Sequence, residues 1–205
     1  MERCFIFAAG TLFELHERPE KGDLVIAADA GYRYCLQEKI DPDLIMGDFD
    51  SMEQPANGTV LKFPVEKDDT DTMLAVREGL KRGCSSFYIY GGTGGKRLDH
   101  TLSNLQTLAF IRKNGAHGYL YDDHFVYTVL ENETFTIKKT VEWGLLSLFS
   151  MGRTAETVCI EGVQYPAKGL TLGCDFPIGC SNHILEDKAV ISVGEGPLLV
   201  GWELS

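Results

Sequence analysis

Leu44-Ile45-Met46-Gly47-Asp48-Phe49-Asp50-Ser51 is the stretch whose reading decides what kind of fold this chain adopts. An apolar run that breaks at a glycine and continues with carboxylates on alternate residues reads as a buried strand. Asp48 and Asp50 then lie on one side of its carboxyl end, because side-chain direction repeats every two residues. Carboxylates at the edge of a core need a positive partner, and Mg²⁺ bridged to phosphate supplies one through oxygen ligands and retained waters. A solvated turn in which Asp48 and Asp50 cap backbone amides satisfies the same residues. The stretch alone leaves both readings open.

Outward from it, the first half alternates short apolar runs with helical patterns, the signature of an α/β domain with a mostly parallel sheet. Arg3 to Ala9 and Asp23 to Ala28 read as the two preceding strands. Asp29-Ala30-Gly31 then turns the chain into a helix through about Glu38. Asp29 sits at a strand end, where open α/β sheets collect ligand groups, although a helix N-cap is an equal reading of it. Arg33, one turn into the helix, could reach a phosphate at that strand end, although a surface arginine is the commoner fate.

Downstream, Val60 to Pro64 reads as a strand and Met73 to Arg82 as a helix, opened by Glu66-Lys67-Asp68-Asp69-Thr70-Asp71-Thr72. Acidic residues suit a helix start, but a cap needs only one, and aspartates this dense repel one another. If the helix begins near Asp68 or Asp69, then Asp68 and Asp71 share a face and turn toward Asp48 and Asp50. The strand Ser86 to Tyr90 runs into Gly91-Gly92-Thr93-Gly94-Gly95-Lys96-Arg97-Leu98-Asp99-His100. Its glycines let backbone amides approach an anion, and the helix that follows adds its positive end. Leu98, Leu102, Leu105 and Ala109 give that helix an apolar face through about Lys113.

From about Asp122 the helical period disappears and β-prone segments recur: 124–130, 134–138, 145–150, 156–160, 169–172, 189–193 and 197–202. Such spacing predicts an all-β sandwich of roughly 80 residues. Trp143 reads as part of its core, and Ser181-Asn182 as either a turn or a polar ligand clamp.

Composition bounds the partners. At 205 residues, 44% hydrophobic and 24% charged, the chain can bury a core and is not a disordered segment. A net charge of −11 argues against nucleic acid, which needs clustered Lys and Arg. No apolar run is long enough to span a bilayer. The six cysteines form no CxxC pair, which points to neither a disulfide framework nor structural zinc, and to a reducing cytoplasm.

Taken together, the motifs resemble the thiamine pyrophosphokinase (thiamin diphosphokinase) family. The resemblance runs in order through Ala28-Asp29-Ala30-Gly31, the block from Pro42 to Ser51, Lys67 to Asp71, and Gly91 to His100. It ends, more loosely, at Gly162-Val163-Gln164-Tyr165-Pro166 and Ser181-Asn182. It implies an α/β ATP-binding catalytic domain at residues 1–122 and a β-sandwich thiamine-binding domain at 123–205, in a homodimer with its active site near the interface. The implied reaction is Mg²⁺-dependent transfer of the pyrophosphoryl group of ATP to the hydroxyl of thiamine, giving thiamine diphosphate and AMP. The resemblance puts Asp48, Asp50, Asp68 and Asp71 on the metal. It puts Asp29, Arg33, Asp48, Ser51, Lys67, Asp68, Thr72, Gly92 and His100 at the nucleotide, and Tyr165, Ser181 and Asn182 at thiamine. Glu66 stands where the family often has Asp, and Tyr165 where animal members carry a stacking tryptophan; tyrosine still offers a cation–π face.

The residue chemistry agrees with that implication. Pyrophosphoryl transfer needs an oxygen in line with phosphorus and neutralised phosphate charge more than covalent help. Arg97, with Lys67 or Lys96, can offset charge on the leaving AMP, and Asp71 or Asp99 can accept the hydroxyl proton. Two enzymatic alternatives fit less well. A haloacid-dehalogenase-type phosphatase needs its nucleophile at an early strand, and a DxD nucleotide-sugar transferase leaves the second acidic cluster unexplained. A non-catalytic metabolite-binding regulator on the same scaffold has no need of all five aspartates.

Overall fold

Leu-Val-Ile-Ala-Ala, buried along its whole length, forms β2 (Leu24–Ala28), and its unbroken apolar run is what a parallel strand covered on both faces requires. The computed structural model describes residues 2–47, 59–62 and 69–204, in two units, Met1–Asp123 and His124–Ser205. In the first unit β2 lies beside β1 (Arg3–Phe7), in which Cys4, Phe5, Ile6 and Phe7 have no exposed surface. A 3-10 turn (Asp29–Gly31) and α1 (Tyr32–Glu38) follow, then β3 (Leu44–Gly47), β4 (Thr59–Lys62) and α2 (Asp71–Lys81). The unit closes with β5 (Ser86–Tyr90), α3 (Leu98–Lys113) and β6 (His117–Tyr121).

All pairings in this unit are parallel, in the order β6-β5-β1-β2-β3-β4. The chain builds outward from β1 in one direction and, after α2, crosses to the other side of β1 for β5 and β6. The order therefore reverses between β1 and β5. In open α/β sheets ligands bind in the crevice outside the carboxyl ends of the strands at such a point.

Three features of this unit differ from the sequence expectation. Strand β6 escaped it because Gly118 interrupts the run of β formers, although Leu120 and Tyr121 are buried. Helix α2 begins at Asp71, two residues before the expected Met73 and after the Asp68 or Asp69 start that a shared acidic face required, because the side chain of Thr70 caps it, accepting from the Met73 amide at 3.2 Å. The inward face of α3 consists of Asn104, Thr107, Leu108 and Ile111, whereas Leu98 and Leu102 are 72% and 54% exposed. The apolar stripe read from sequence thus lies on a different side of the helix from the stripe that meets the sheet.

The second unit comprises β7 (Phe125–Leu130), β8 (Glu133–Lys138), β9 (Leu145–Ser150), β10 (Thr154–Glu161), β11 (Ala167–Gly173), β12 (Asn182–His183), β13 (Lys188–Val193) and β14 (Leu198–Glu203). They pair antiparallel in two runs, β12-β9-β14-β7 and β11-β10-β13-β8. Alternate residues of β13 are buried, as expected of a strand with one face on a core. Phe135 of β8 meets Trp202 of β14 at a ring separation of 5.7 Å, joining the two runs. Trp143 is not in the core: it is 57% exposed, in a turn at φ +59°, with its ring edge-on to His183. The turn before β9 (Gly144 amide to Val141 carbonyl, 3.2 Å) takes it off any strand face.

Candidate functional site

Four chain segments converge on the crossover between β1 and β5. Ala8, Ala9 and Gly10 leave β1; Ala28 and Asp29 leave β2; Asp69 to Thr72 enter α2; and Gly91 to Arg97 lead from β5 to α3. With His100, Ser103 and Asn104 they line a cleft of about 640 Å³. Residues that are distant in sequence meet here because every parallel strand ends on the same edge of the sheet.

The glycine segment hugs the end of β1. The Ala8 amide donates to the Tyr90 carbonyl at 2.8 Å and the Gly10 amide to the Gly91 carbonyl at 2.7 Å. The Tyr34 hydroxyl donates in turn to the Gly10 carbonyl. Gly91 has φ +66°, and a Cβ there would stand 2.5 Å from the Ala8 carbonyl oxygen, so the close approach requires glycine.

The cleft carries both signs of charge. Asp29 stands in the 3-10 turn at φ +50° and does not cap α1, whose N-cap is Gly31. The backbone of β3 reaches the same corner, since a Cβ on Gly47 would stand 3.2 Å from Asp29 Cα. Asp69 Oδ2 forms an ion pair with Arg77 Nε at 2.8 Å, and the Arg77 guanidinium lies 5.0 Å from the centre of the Phe110 ring. Asp71 opens α2, where the positive end of the helix favours a carboxylate. Lys96 and Arg97 supply the cations. Arg97 Nε donates to Asp99 Oδ1 at 3.2 Å and Nη2 donates to Oδ2. That fork, with charge from Arg97 and His100, holds the Asp99 carboxyl below the usual carboxylate range.

Of the residues expected at the nucleotide and in catalysis, Asp29, Asp71, Thr72, Gly92, Arg97 and His100 share this one cleft. Arg33 and Asp99 are not on its lining. Asp48, Asp50, Ser51, Lys67 and Asp68 lie outside the described residues. Among the described residues no three carboxylate, imidazole or thiol groups converge as a metal cluster. The described carboxylates of the cleft, Asp29, Asp69 and Asp71, are hard oxygen donors of the kind Mg²⁺ takes. Asn104 and Thr93, both buried at the back of the glycine segment, were not expected. The signal for Asn104 was an amide on the buried side of a helix, visible only once that side is known.

In the second unit the three residues expected at thiamine come together. Tyr165, Ser181 and Asn182 line a pocket of about 400 Å³, with Leu148, Ile160, Leu170, Leu172, Ile178 and Cys180 among its other walls. Asn182 bridges the backbone of Tyr165: Oδ1 accepts from the Tyr165 amide at 3.0 Å and Nδ2 donates to the Tyr165 carbonyl at 2.9 Å. Oδ1 also accepts from the His183 amide at 2.9 Å. The Ser181 amide donates to Ser147 Oγ at 3.0 Å. The Tyr165 side chain is 65% exposed above this clamp.

Residues 15–120 match the family model for the thiamin pyrophosphokinase catalytic domain, and residues 133–198 match that for the thiamin pyrophosphokinase vitamin B1 binding domain. Thiamine pyrophosphokinase of Bacillus subtilis (strain 168) is 27% identical over 186 residues, covering 86% of each chain. The crystal structure of thiamine pyrophosphokinase from Bacillus subtilis superposes with a TM-score of 0.90 at 24% identity over the whole of both chains. Thiamin pyrophosphokinase from Candida albicans gives a TM-score of 0.79 at 13% identity, over all of this chain and 89% of that one. Likenesses this distant in sequence speak for a shared mixed α/β fold.

Proposed function

The chain belongs to the thiamin pyrophosphokinase family, and from that premise we propose that the cleft of its first unit binds ATP and the pocket of its second binds thiamine. It is a thiamine diphosphokinase: the pyrophosphoryl group of ATP passes to the hydroxyl of thiamine and AMP leaves. The observation that carries the assignment of the cleft is its position. It lies at the one reversal of strand order in the parallel sheet, where Asp29, Asp71, Arg97 and His100 arrive from separate segments.

In this reading the amides of the Gly91–Gly95 segment and the start of α3 meet the phosphates. Lys96 and Arg97 offset the charge that gathers on the departing AMP. Asp71 takes the hydroxyl proton of thiamine, because Asp99 is held by Arg97 and stands off the cleft lining. Thr72 and Asp29 bound the nucleotide side, with Ser51, Lys67 and the more distant Arg33 completing it.

Mg²⁺, held by Asp71 together with Asp48, Asp50 and Asp68, would supply neutralising charge to the polyphosphate. The pocket under Tyr165 has no ionisable wall other than Cys180 and Tyr165 itself, so the aromatic face of Tyr165 is the attraction it offers to a thiazolium cation. This gives an α/β nucleotide domain followed by a β-sandwich thiamine domain. It is completed as a homodimer with the active site near the interface; Leu98 and Leu102 on α3 supply an exposed apolar face suited to a second copy. Among the described residues no helix is long and apolar enough to cross a membrane, and six free thiols suit a reducing cytoplasm.

The deciding experiment is a coupled assay for AMP with ATP, Mg²⁺ and thiamine, run beside Asp71→Asn and a control without thiamine. Thiamine-dependent AMP that disappears in the variant supports the assignment, and phosphate or ADP made without thiamine overturns it. Mg²⁺ with a non-hydrolysable ATP analogue should raise the melting temperature of the wild type and raise that of Asp71→Asn less.

A further inference from the structure

Three consecutive carbonyls of the glycine segment are each engaged by a donor from the protein. Gly91 O accepts from the Gly10 amide at 2.7 Å, Gly92 O from Asn104 Nδ2 at 2.7 Å, and Thr93 O from the Thr11 amide at 2.9 Å. Two of these donors are backbone groups fixed by the path of the chain after β1. Only the bond to Gly92 comes from a side chain.

That bond fixes the peptide between Gly92 and Thr93, inside a segment whose neighbours Gly91 and Gly94 hold φ +66° and φ +69°. Rotation about the Gly92 and Thr93 backbone bonds flanking that peptide would interchange its N–H and C=O, as between turn types I and II. A rotated peptide would offer phosphate a carbonyl oxygen in place of an amide hydrogen. Asn104 is 6% exposed on α3 and lines the cleft; its amide resists that rotation and is satisfied in doing so. The same loop is held from its other side by Thr93, 4% exposed, whose hydroxyl donates to Asp122 Oδ1 at 2.7 Å.

We propose that Asn104 is a positioning residue for the polyphosphate. By engaging the Gly92 carbonyl, it keeps the Gly91–Gly95 segment presenting amide hydrogens, not carbonyl oxygens, to the triphosphate of the nucleotide. The proposal rests on the assignment of the cleft to ATP and adds the group that sets its anion-binding geometry.

Asn104→Asp tests it with almost no change of shape. An ionised carboxylate cannot donate to the Gly92 carbonyl and repels it, so the dissociation constant for ATP, measured by calorimetry with full-length protein, should rise roughly tenfold or more at pH 8. A carboxyl in this buried position takes up a proton as pH falls and regains a donor, so the ratio of variant to wild-type dissociation constants, each pair measured at the same pH, should shrink between about pH 8 and pH 6. The KM for thiamine should stay within about twofold. A merely structural role predicts no such return at lower pH and equal loss for both substrates; either result, or unchanged ATP affinity, overturns the proposal. Should Asn104→Asp fail to fold, Thr93→Val carries the test: it removes the hydroxyl held by Asp122 and should weaken ATP severalfold without affecting thiamine, and unchanged ATP affinity overturns the proposal. The catalytic assignment is judged separately. Wild-type protein that binds ATP but releases no thiamine-dependent AMP would remove that assignment and leave the result for Asn104 standing.

Discussion

Arg97 and Asp99 form a forked pair at the entrance of α3, with Nε 3.2 Å from Oδ1 and Nη2 bound to Oδ2. The guanidinium lowers the pKa of the carboxyl, so Asp99 stays ionised through the neutral range and is a weak proton acceptor. In the proposed reaction its part is to orient Arg97. Asp99→Asn should therefore lower kcat while leaving the acidic limb of the kcat profile where it is, whereas Asp71→Asn should abolish thiamine-dependent AMP. Profiles measured from roughly pH 5 to pH 9 decide the matter, and an acidic limb lost in Asp99→Asn would reverse the two roles.

A second pair governs acid stability. Arg3 Nε lies 3.1 Å from both carboxylate oxygens of Asp23, and the Glu20 amide donates to Oδ2 at 2.7 Å. Arg3, followed by the Glu20 amide, lowers the Asp23 pKa in the folded chain. A carboxyl with a depressed folded value stabilises the fold above its unfolded pKa of about 3.9, and that contribution is lost as pH falls through the folded value. Between about pH 5 and pH 3 the urea midpoint of the wild type should fall more steeply than that of Asp23→Asn. Parallel slopes for the two proteins would show that Asp23 contributes no linkage.

Gly79, within α2, gives a reversal of sign. In an open helix Gly→Ala stabilises by about 1 kcal/mol. Here the added Cβ would stand 2.5 Å from Phe87 Cε1 and 3.1 Å from Cys4 Sγ, in the packed layer between α2 and the sheet. Overpacking of this kind is destabilising by about 1–3 kcal/mol, so Gly79→Ala should lower the midpoint of chemical denaturation. An increase would mean that Phe87 yields freely.

How far the site was legible in the sequence follows from which of its residues advertise chemistry. Asp29, Asp71, Arg97 and His100 are polar groups placed at strand ends and helix starts, and the alternation of elements was enough to bring them to one edge of a parallel sheet. Asn104 and Thr93 were invisible because they act from inside the core, where a polar residue becomes informative only after the buried face of α3 is known. The expected face through Leu98 and Leu102 failed for the same reason: periodicity finds a stripe but not what it meets. Trp143 shows the converse error, since the turn at φ +59° overrode the usual burial of an aromatic ring.

Thiol reactivity distinguishes the two units. Burial pushes the Cys35 thiol up to about 12, so it stays protonated and silent at neutral pH, whereas Cys174 and Cys180 are exposed. A disulfide reagent should label the latter pair first in the native protein. Cys180 lines the pocket assigned to thiamine and Cys174 does not. Saturating thiamine should therefore slow the labelling of Cys180 severalfold and leave Cys174 unaffected, as read by mass spectrometry of the labelled peptides. Equal protection of both, or of neither, would move thiamine out of this pocket.

Asn182 holds the backbone of Tyr165 on both sides. Its amide carries three bonds to backbone, two to Tyr165 and one to His183, so its oxygen and at least one of its hydrogens are already engaged. What the pocket gains is a fixed path for the backbone under an exposed aromatic ring. Asn182→Asp keeps the acceptor for both amides and loses the donor to the Tyr165 carbonyl at 2.9 Å, leaving that carbonyl against a carboxylate. The KM for thiamine should rise roughly tenfold, while the KM for ATP stays within about twofold. Tyr165→Ala should raise it by a similar factor, and the double variant should add little beyond either, since both changes remove one arrangement. Independent, multiplicative losses would instead make Asn182 a direct ligand of thiamine, acting in parallel with the ring.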